Sequence, residues 1–169
     1  MAELTQKERL QPSLLDRLTD NEPEERAESR DKRILSPSRL RESVRRDLTW
    51  LFNTPNLATV LDLEKFPQVA ESVVNYGLPP LAGRTTSSVD IPEMERLLRQ
   101  AIWTFEPRLN KNSIRVRLVA DQALMSHNAL SFYIEAELWA QPIPLRLFLK
   151  TEIDLENGSA NVVDAGSPG

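Results

Sequence analysis

The spacing of apolar residues changes once along this chain, at Glu106-Pro107-Arg108, and that change limits which folds are open to it. Before the tripeptide, apolar residues recur with the period of an amphipathic helix, at Met94, Leu97, Leu98, Ala101, Ile102 and Phe105. After it, they alternate with polar residues, as in a half-buried strand. Pro107 separates the two patterns, because proline lacks a backbone N–H and clashes with the preceding helical turn. The chain is therefore predicted to belong to the α+β class.

Three segments beyond Arg108 show the alternation typical of strands, at residues 114–118, 130–138 and 145–155. Turn-forming residues at 126–128 and 141–144 separate them, which favours an antiparallel meander. We predict N-terminal helices packed on a three-stranded, mainly antiparallel sheet with an exposed edge, and we expect the strand at 145–155 to be that edge. Asn157-Gly158 could turn the chain into a short return at 160–163.

Two more helices are predicted before the sheet. Ser36 and Pro37 are a typical cap and first residue of the earlier one, whose apolar face is expected to be buried: Leu40, Val44, Leu48 and Leu51. The later one is predicted to run from Pro67 to Tyr76, with Gly77 as its left-handed cap. Its buried side is expected to consist of Phe66, Val69, Val73 and Tyr76.

Composition divides the chain into an arm, one domain and a tail. Residues 1–36 are predicted to be a flexible N-terminal arm, because residues 19–36 are rich in charge and poor in apolar side chains. Within the arm, Leu14, Leu15 and Leu18 form a short leucine-rich segment that we interpret as a docking segment, with a frayed terminus as the alternative. Residues 37–156 are predicted to be the domain, and residues 157–169 a flexible C-terminal tail.

Arginines crowd the polar sides of the first long helix. A core helix with a solvated, charged back accounts for them; a surface for an acidic partner, built on Arg41 and Arg45, is the alternative. A net charge of −4 and the lack of aromatic residues between the arginines argue against nucleic acid as that partner.

The residue inventory argues against an enzyme. His127 is the only histidine and there is no cysteine, which removes most zinc sites and nucleophilic triads. Five glycines leave no phosphate-binding loop, so no metal or other cofactor is expected. A muramidase-like peptidoglycan hydrolase using Glu106 is the alternative, although Arg108 nearby favours the ionised carboxylate over the acid that such a reaction needs.

The sequence also suggests where the protein acts. Its N-terminal residues carry no apolar run typical of a secretory signal, and no apolar stretch approaches the roughly 20 residues of a membrane-spanning helix. The absence of cysteine suits a reducing compartment. We therefore expect a cytoplasmic protein with no direct insertion into a membrane.

Several motifs, in order along most of the chain, resemble those of a known family. They are Pro12-Ser13-Leu14-Leu15-Asp16-Arg17-Leu18, the run from Leu40 to Leu48, Leu51-Phe52-Asn53-Thr54, Phe66-Pro67, Asn75-Tyr76-Gly77-Leu78-Pro79 and Phe105-Glu106-Pro107-Arg108-Leu109. Together they resemble the TssE baseplate subunits of bacterial type VI secretion systems, which are homologous to the lysozyme-like wedge protein of contractile-tail phages. The Glu-Pro-Arg tripeptide at a helix-to-strand corner is the most specific part of the resemblance.

The resemblance implies a structural role and names its partners. Members of this family join the wedge proteins TssF and TssG, and they present a sheet on which the first ring of the sheath proteins TssB and TssC is templated. Addition of a strand to the sheet edge is then expected. Contact with TssK and the spike hub would be indirect. Glu106, Pro107 and Arg108 are expected either to contact the wedge proteins or to act as a clamp within the domain.

Overall fold

A computed structural model of the chain describes residues 13–19, 23–24, 36–119, 128–138 and 144–166. The predicted turn around His127, most of the connection at 141–144 and most of the predicted N-terminal arm lie outside these residues. So do the last three residues of the predicted tail.

The described residues form four α-helices and four strands, which confirms the predicted α+β class. The helices are α1 (Leu14–Leu18), α2 (Pro37–Phe52), α3 (Pro67–Ala70) and α4 (Ile91–Phe105). The strands are β1 (Arg115–Leu118), β2 (Ala129–Leu138), β3 (Leu145–Asp154) and β4 (Ala160–Asp164). Short 3₁₀ turns occupy Leu57–Thr59, Val73–Asn75, Thr86–Ser88 and Lys111–Ser113.

Local sequence explains where the two long helices begin and end. Ser36 caps α2 by accepting a hydrogen bond from the backbone N–H of Arg39, and Pro37 occupies the first turn. Asp90 caps α4 in the same way, through the backbone N–H of Glu93. At its far end, α4 stops at Phe105, two residues before Pro107, as the sequence predicts, and Glu106 is its C-terminal cap.

The strands pair in sequence order as one antiparallel sheet, with the order β1-β2-β3-β4. The sheet therefore has four strands where three were predicted, and β4 lies in the segment expected to be a tail. The expectation that the strand at 145–155 is an edge is wrong. Because the turn after Leu155 brings Ala160 to Asp164 back alongside β3, β3 is paired on both sides.

Helices α2 and α4 cover one face of the sheet. Helix α2 lies against β3 and β4, and α4 lies against β1 and α2. The core between them consists of aliphatic side chains with two buried aromatic rings; its members include Val44, Leu48, Leu51, Phe52, Leu98, Ile102, Phe132, Ile134, Leu149 and Val162. The predicted apolar faces of the two long helices are thus buried, while the opposite face of the sheet carries exposed residues such as Tyr133 and Val163.

The two edges of the sheet differ in how far the protein covers them. On β4, Ala160 donates from N–H to Asn53 Oδ1 at 2.9 Å and accepts from Asn53 Nδ2 at 2.7 Å. The carbonyl of Val162 accepts from Arg45 Nη1 at 2.9 Å. Side chains of α2 and of its C-terminal cap therefore occupy backbone groups that a further strand would need.

On β1, one outward backbone group is occupied, where the N–H of Leu118 donates to Glu95 Oε1 of α4 at 2.8 Å. The strand alternation turns the N–H and C=O of Val116 away from β2 as well. No residue in the described part of the chain hydrogen-bonds them. Among the described residues, β1 therefore has fewer outward backbone groups occupied than β4.

The prediction of one helix from Pro67 to Tyr76 is wrong. The chain forms only the single turn of α3, then breaks and makes the 3₁₀ turn Val73–Asn75. Phe66 and Val73, expected to be buried, are exposed. Gly77 does adopt a positive φ of +123°, but at the end of an irregular loop rather than of a long helix.

Candidate functional site

Glu106 and Arg108 bind each other at the corner between α4 and the sheet. The Glu106 side chain is buried, with 3% of its surface exposed. Its Oε1 accepts from the Arg108 backbone N–H at 3.1 Å and from Arg108 Nε at 2.7 Å, and its Oε2 accepts from Arg108 Nη2. Pro107 between them is exposed and lies in a turn, across which the two side chains meet. The two charged residues of the tripeptide therefore form an ion pair with each other, on either side of Pro107.

Arg108 continues from Glu106 to helix α2. Its Nη1 donates to Ser43 Oγ at 2.9 Å, and its Nη2 donates to Asp47 Oδ2 at 2.6 Å. Burial by itself lowers the pKa of the guanidinium, but the hydrogen bonds and negative charges of Glu106 and Asp47 outweigh it and raise the pKa of Arg108 above its ordinary value. The arginine thus stays charged and links the end of α4 to the middle of α2.

The same patch of α2 holds helix α1 through Asp16. Asp16 Oδ2 accepts from Ser43 Oγ at 2.9 Å and from Ser13 Oγ at 2.7 Å, while Oδ1 accepts from Arg46 Nη1 at 2.5 Å. Partial burial of the carboxylate raises its pKa, but the hydrogen bonds from Arg46, Ser13 and Ser43 outweigh that effect and lower the pKa of Asp16 from 3.8 to about 2. Asp16 is therefore ionised at neutral pH.

Arg46 joins the two halves of this arrangement. Its Nε donates to Asp47 Oδ1 at 2.9 Å, and its guanidinium lies 5.0 Å from the centre of the Trp50 ring. Three segments far apart in sequence thus meet in a polar network, which we call the charge network: Asp16, Ser43, Arg46, Asp47, Glu106 and Arg108. Each carboxylate in it receives at least one hydrogen bond from an arginine.

Helix α1 lies with its polar side inward and its leucines outward. While Asp16 binds α2, Leu14 and Leu18 are 71% and 75% exposed, and Leu15 is also exposed. A surface helix normally buries its apolar side chains against the domain. The predicted leucine-rich segment is therefore helical and attached to the domain, and it presents its three leucines to the outside.

Arg41 and Arg45, predicted as part of a partner surface, contact the protein's own sheet. Arg41 Nη2 donates to the carbonyl of Arg146 in β3 at 3.0 Å. Arg45 binds Val162 of β4, as described above, and also forms an ion pair with Glu42 on its own helix. Both arginines are partly exposed, so the predicted contact with an acidic partner stays a prediction beside these internal contacts.

The site offers little to catalysis. Both oxygens of the Glu106 carboxylate are occupied by Arg108, and burial keeps substrate-sized molecules away from it. Across the described ranges, from residue 13 to 166 with their gaps, no group of His, Asp and Glu is arranged to hold a metal ion. None of the helices within those ranges has the length and hydrophobicity that a membrane-spanning segment requires. The charge network can instead hold α1, α2 and the end of α4 in place relative to one another.

Sequence reasoning singled out Glu106 and Arg108 but missed the partners that bring them to α2 and α1. Ser43 and Asp47 lie 65 and 61 positions before Arg108, so no local period connects them. The one available signal was the polar Ser43 beside the apolar face of α2, where a buried hydroxyl requires a hydrogen-bond partner.

Comparison with known proteins agrees with this architecture. The sequence profile of one family, described as baseplate wedge protein gp25, matches residues 38–143. The matched range begins in α2 and extends past β2, so it includes Glu106 and Arg108. A search of curated proteins gave no significant match. Because the profile covers more than half of the chain, the chain belongs to the baseplate wedge protein gp25 family.

Proposed function

We propose that this protein is the TssE-type baseplate subunit of a type VI secretion system, a cytoplasmic structural component that binds the TssF and TssG wedge proteins. The observation that carries the proposal is the outward leucine face of α1. Exposed apolar side chains grouped on one short element are typical of a protein–protein contact. Family membership supports a baseplate as the place of that contact.

The charge network explains how so short a helix can serve as a docking element. A helix of five residues is not stable alone, because the first turn costs more than its hydrogen bonds return. Asp16 supplies the missing attachment through Ser43 and Arg46. In this proposal Glu106 and Arg108 position α1 from inside the domain, and Pro107, which is exposed, is the member of the tripeptide that touches the wedge.

The sheath proteins TssB and TssC are the second set of proposed partners. An added strand needs outward N–H and C=O groups, and the β1 edge offers those of Val116. The β4 edge is less suitable, because Asn53 and Arg45 already occupy three of its outward groups. We therefore assign sheath templating to β1, and we place TssK and the spike hub outside direct contact.

Calorimetric titration of the purified TssF–TssG complex with this protein tests the wedge assignment. The Leu14→Ser/Leu18→Ser protein is expected to keep its thermal stability, since both side chains are exposed, and to lose at least about tenfold in affinity. Val163→Ser, an exposed residue on the far face of the sheet, is the matched control and is expected to bind normally. Equal affinity of the double variant and the wild type would refute the leucine contact.

A turbidity assay on purified peptidoglycan separates this proposal from the muramidase alternative. We expect no lysis, because the Glu106 carboxylate is buried and bound by Arg108. Lysis that disappears in Glu106→Gln, a variant of nearly the same shape, would establish an enzyme instead.

A further inference from the structure

The loop from Asn56 to Gly77 is tied at its neck and held internally. At the neck, Leu78 N–H donates to the carbonyl of Thr54 at 2.8 Å, and Asn56 N–H donates to the carbonyl of Leu78 at 3.0 Å. Gly77 permits this approach: a Cβ built there would lie 2.1 Å from the Thr54 oxygen. We call this segment the 56–77 loop.

Two side chains fix the interior of the 56–77 loop. Asn75 accepts from the backbone N–H of Ala58 at 2.9 Å and donates to the carbonyl of Ala70 at 2.9 Å, so the turns at both ends of the loop lie side by side. Leu63 is buried. Near the end of the loop, the Tyr76 ring packs edge-on against Phe105 of α4, with 5.3 Å between ring centres. The loop therefore has a defined shape without a long helix.

Large apolar side chains of this loop remain outside the core. Five are exposed: Val60, Leu61, Phe66, Val73 and Val74. Val60 and Val73 reach 81% exposure each, more than any leucine of α1. The spacing of Phe66, Val69 and Val73 is that of an element with a buried face, yet Phe66 and Val73 are exposed and Val69 is only partly buried. A long loop that is anchored and displays apolar residues is typical of a binding surface.

Charge narrows the choice of partner. The loop carries three exposed carboxylates, Asp62, Glu64 and Glu71, against one exposed ammonium group, Lys65. A partner that buries the five apolar side chains would place the residues around its own apolar face close to these carboxylates. Basic residues of the partner at those positions would attract the carboxylates, and acidic residues would repel them.

We propose that the 56–77 loop is a second docking surface, separate from the leucines of α1, and that it receives an amphipathic helix of another protein with lysines or arginines beside its apolar face. Phe66 and Val73 would supply the apolar contact, and Glu64 and Glu71 the charged rim. The inference does not depend on the secretion system assigned above.

Two synthetic amphipathic helices test this surface in the full-length protein. One carries leucines on one face and lysines on the other, and the second has glutamates in place of the lysines. The lysine peptide is expected to bind, and the glutamate peptide to bind at least about tenfold more weakly. Phe66→Ser/Val73→Ser should weaken the lysine peptide at least about tenfold, whereas Leu14→Ser/Leu18→Ser should leave its affinity unchanged. Thermal melting at the wild-type temperature verifies that each variant is folded.

Three outcomes would overturn the proposal. Equal binding of both peptides removes the charge argument, and an unchanged affinity in Phe66→Ser/Val73→Ser removes the loop as the site. Sedimentation that shows concentration-dependent dimers of the wild type, abolished in the same variant, would make a second copy of this chain the occupant. A monomeric wild type that binds only the lysine peptide, through the loop, supports it.

Discussion

Arg108 binds the carboxylate of Glu106, two residues earlier in the chain, with Nε and Nη2 donating to separate oxygens. Other N–H groups of the same guanidinium donate to Ser43 and Asp47 on α2. Tyr76 also donates to the backbone carbonyl of Asp47, at 3.2 Å, so the same stretch of α2 is held from two directions. The tripeptide thus links the end of α4 to the middle of α2.

Arg108→Ala is predicted to lower the free energy of unfolding by about 3 kcal/mol, because it leaves the buried Glu106 charge without its cation. Urea denaturation followed by circular dichroism measures this loss. Arg99→Ala removes an exposed arginine of α4 and is the control, with a change within about 0.5 kcal/mol. A combined Glu106→Gln/Arg108→Ala protein should lose less than the sum of its single variants; strictly additive losses would mean that the pair is not coupled.

The docking of α1 is predicted to weaken in acid. Because the folded-state pKa of Asp16, about 2, lies below its ordinary value of 3.8, the stabilisation is complete above 3.8 and is lost as the pH falls through about 2. Carbon-detected NMR of the Asp16 carboxyl group measures the titration directly. Arg46→Ala should move the midpoint up toward 3.8, while Arg39→Ala, on the same helix but outside the network, should not. An ordinary midpoint in the wild type would contradict the observed contacts.

Asn53→Ala is predicted to destabilise β4 by about 1 to 3 kcal/mol, because it removes the amide that caps α2 and leaves the N–H and C=O of Ala160 without their partner. Amide hydrogen exchange of residues 160–164 measures the local effect. Asn53→Asp keeps the oxygen that accepts from Ala160 but loses the donor, so its effect should be intermediate. Unchanged exchange in Asn53→Ala would show that β4 is held by β3 alone.

Gly77→Ala is predicted to cost about 3 kcal/mol, since the residue has a positive φ and its new Cβ would collide with the Thr54 carbonyl. Gly83→Ala is the matched control: it also has a positive φ, but no atom lies within 4 Å of the added Cβ. Its cost should be about 1 kcal/mol, from the backbone conformation alone. Thermal melts that place both variants at the same stability would contradict the tight neck of the 56–77 loop.

Local patterns predicted the elements whose environment is local. Three such predictions depend only on neighbouring residues, and all three match the structure. They are the cap at Ser36, the end of α4 before Pro107 and the alternation of β2 and β3.

Features that depend on distant contacts could not be predicted in the same way. The charge network joins its three segments through residues 27 to 65 positions apart, and charged residues carry no period that reveals which ones meet. The prediction of a helix after Pro67 was wrong for a related reason. The apolar spacing of a helix is present, but the domain does not pack against it. Most helices are stabilised by such packing rather than by their own propensity. The strand at 145–155 was wrongly predicted to be an edge. Although β4 has only five residues, it pairs with β3 along its whole length and becomes the edge instead.

The contacts of Asn53 and Arg45 on β4 give the sheet a direction. Each edge strand of a sheet carries N–H and C=O groups that can pair with a strand of another chain. Among the described residues, Asn53 and Arg45 occupy three such groups on β4, whereas Glu95 occupies one on β1. A strand added at β4 would therefore displace more of the protein's own hydrogen bonds than a strand added at β1. The two edges of this sheet are not equivalent, and strand addition is expected to favour one of them.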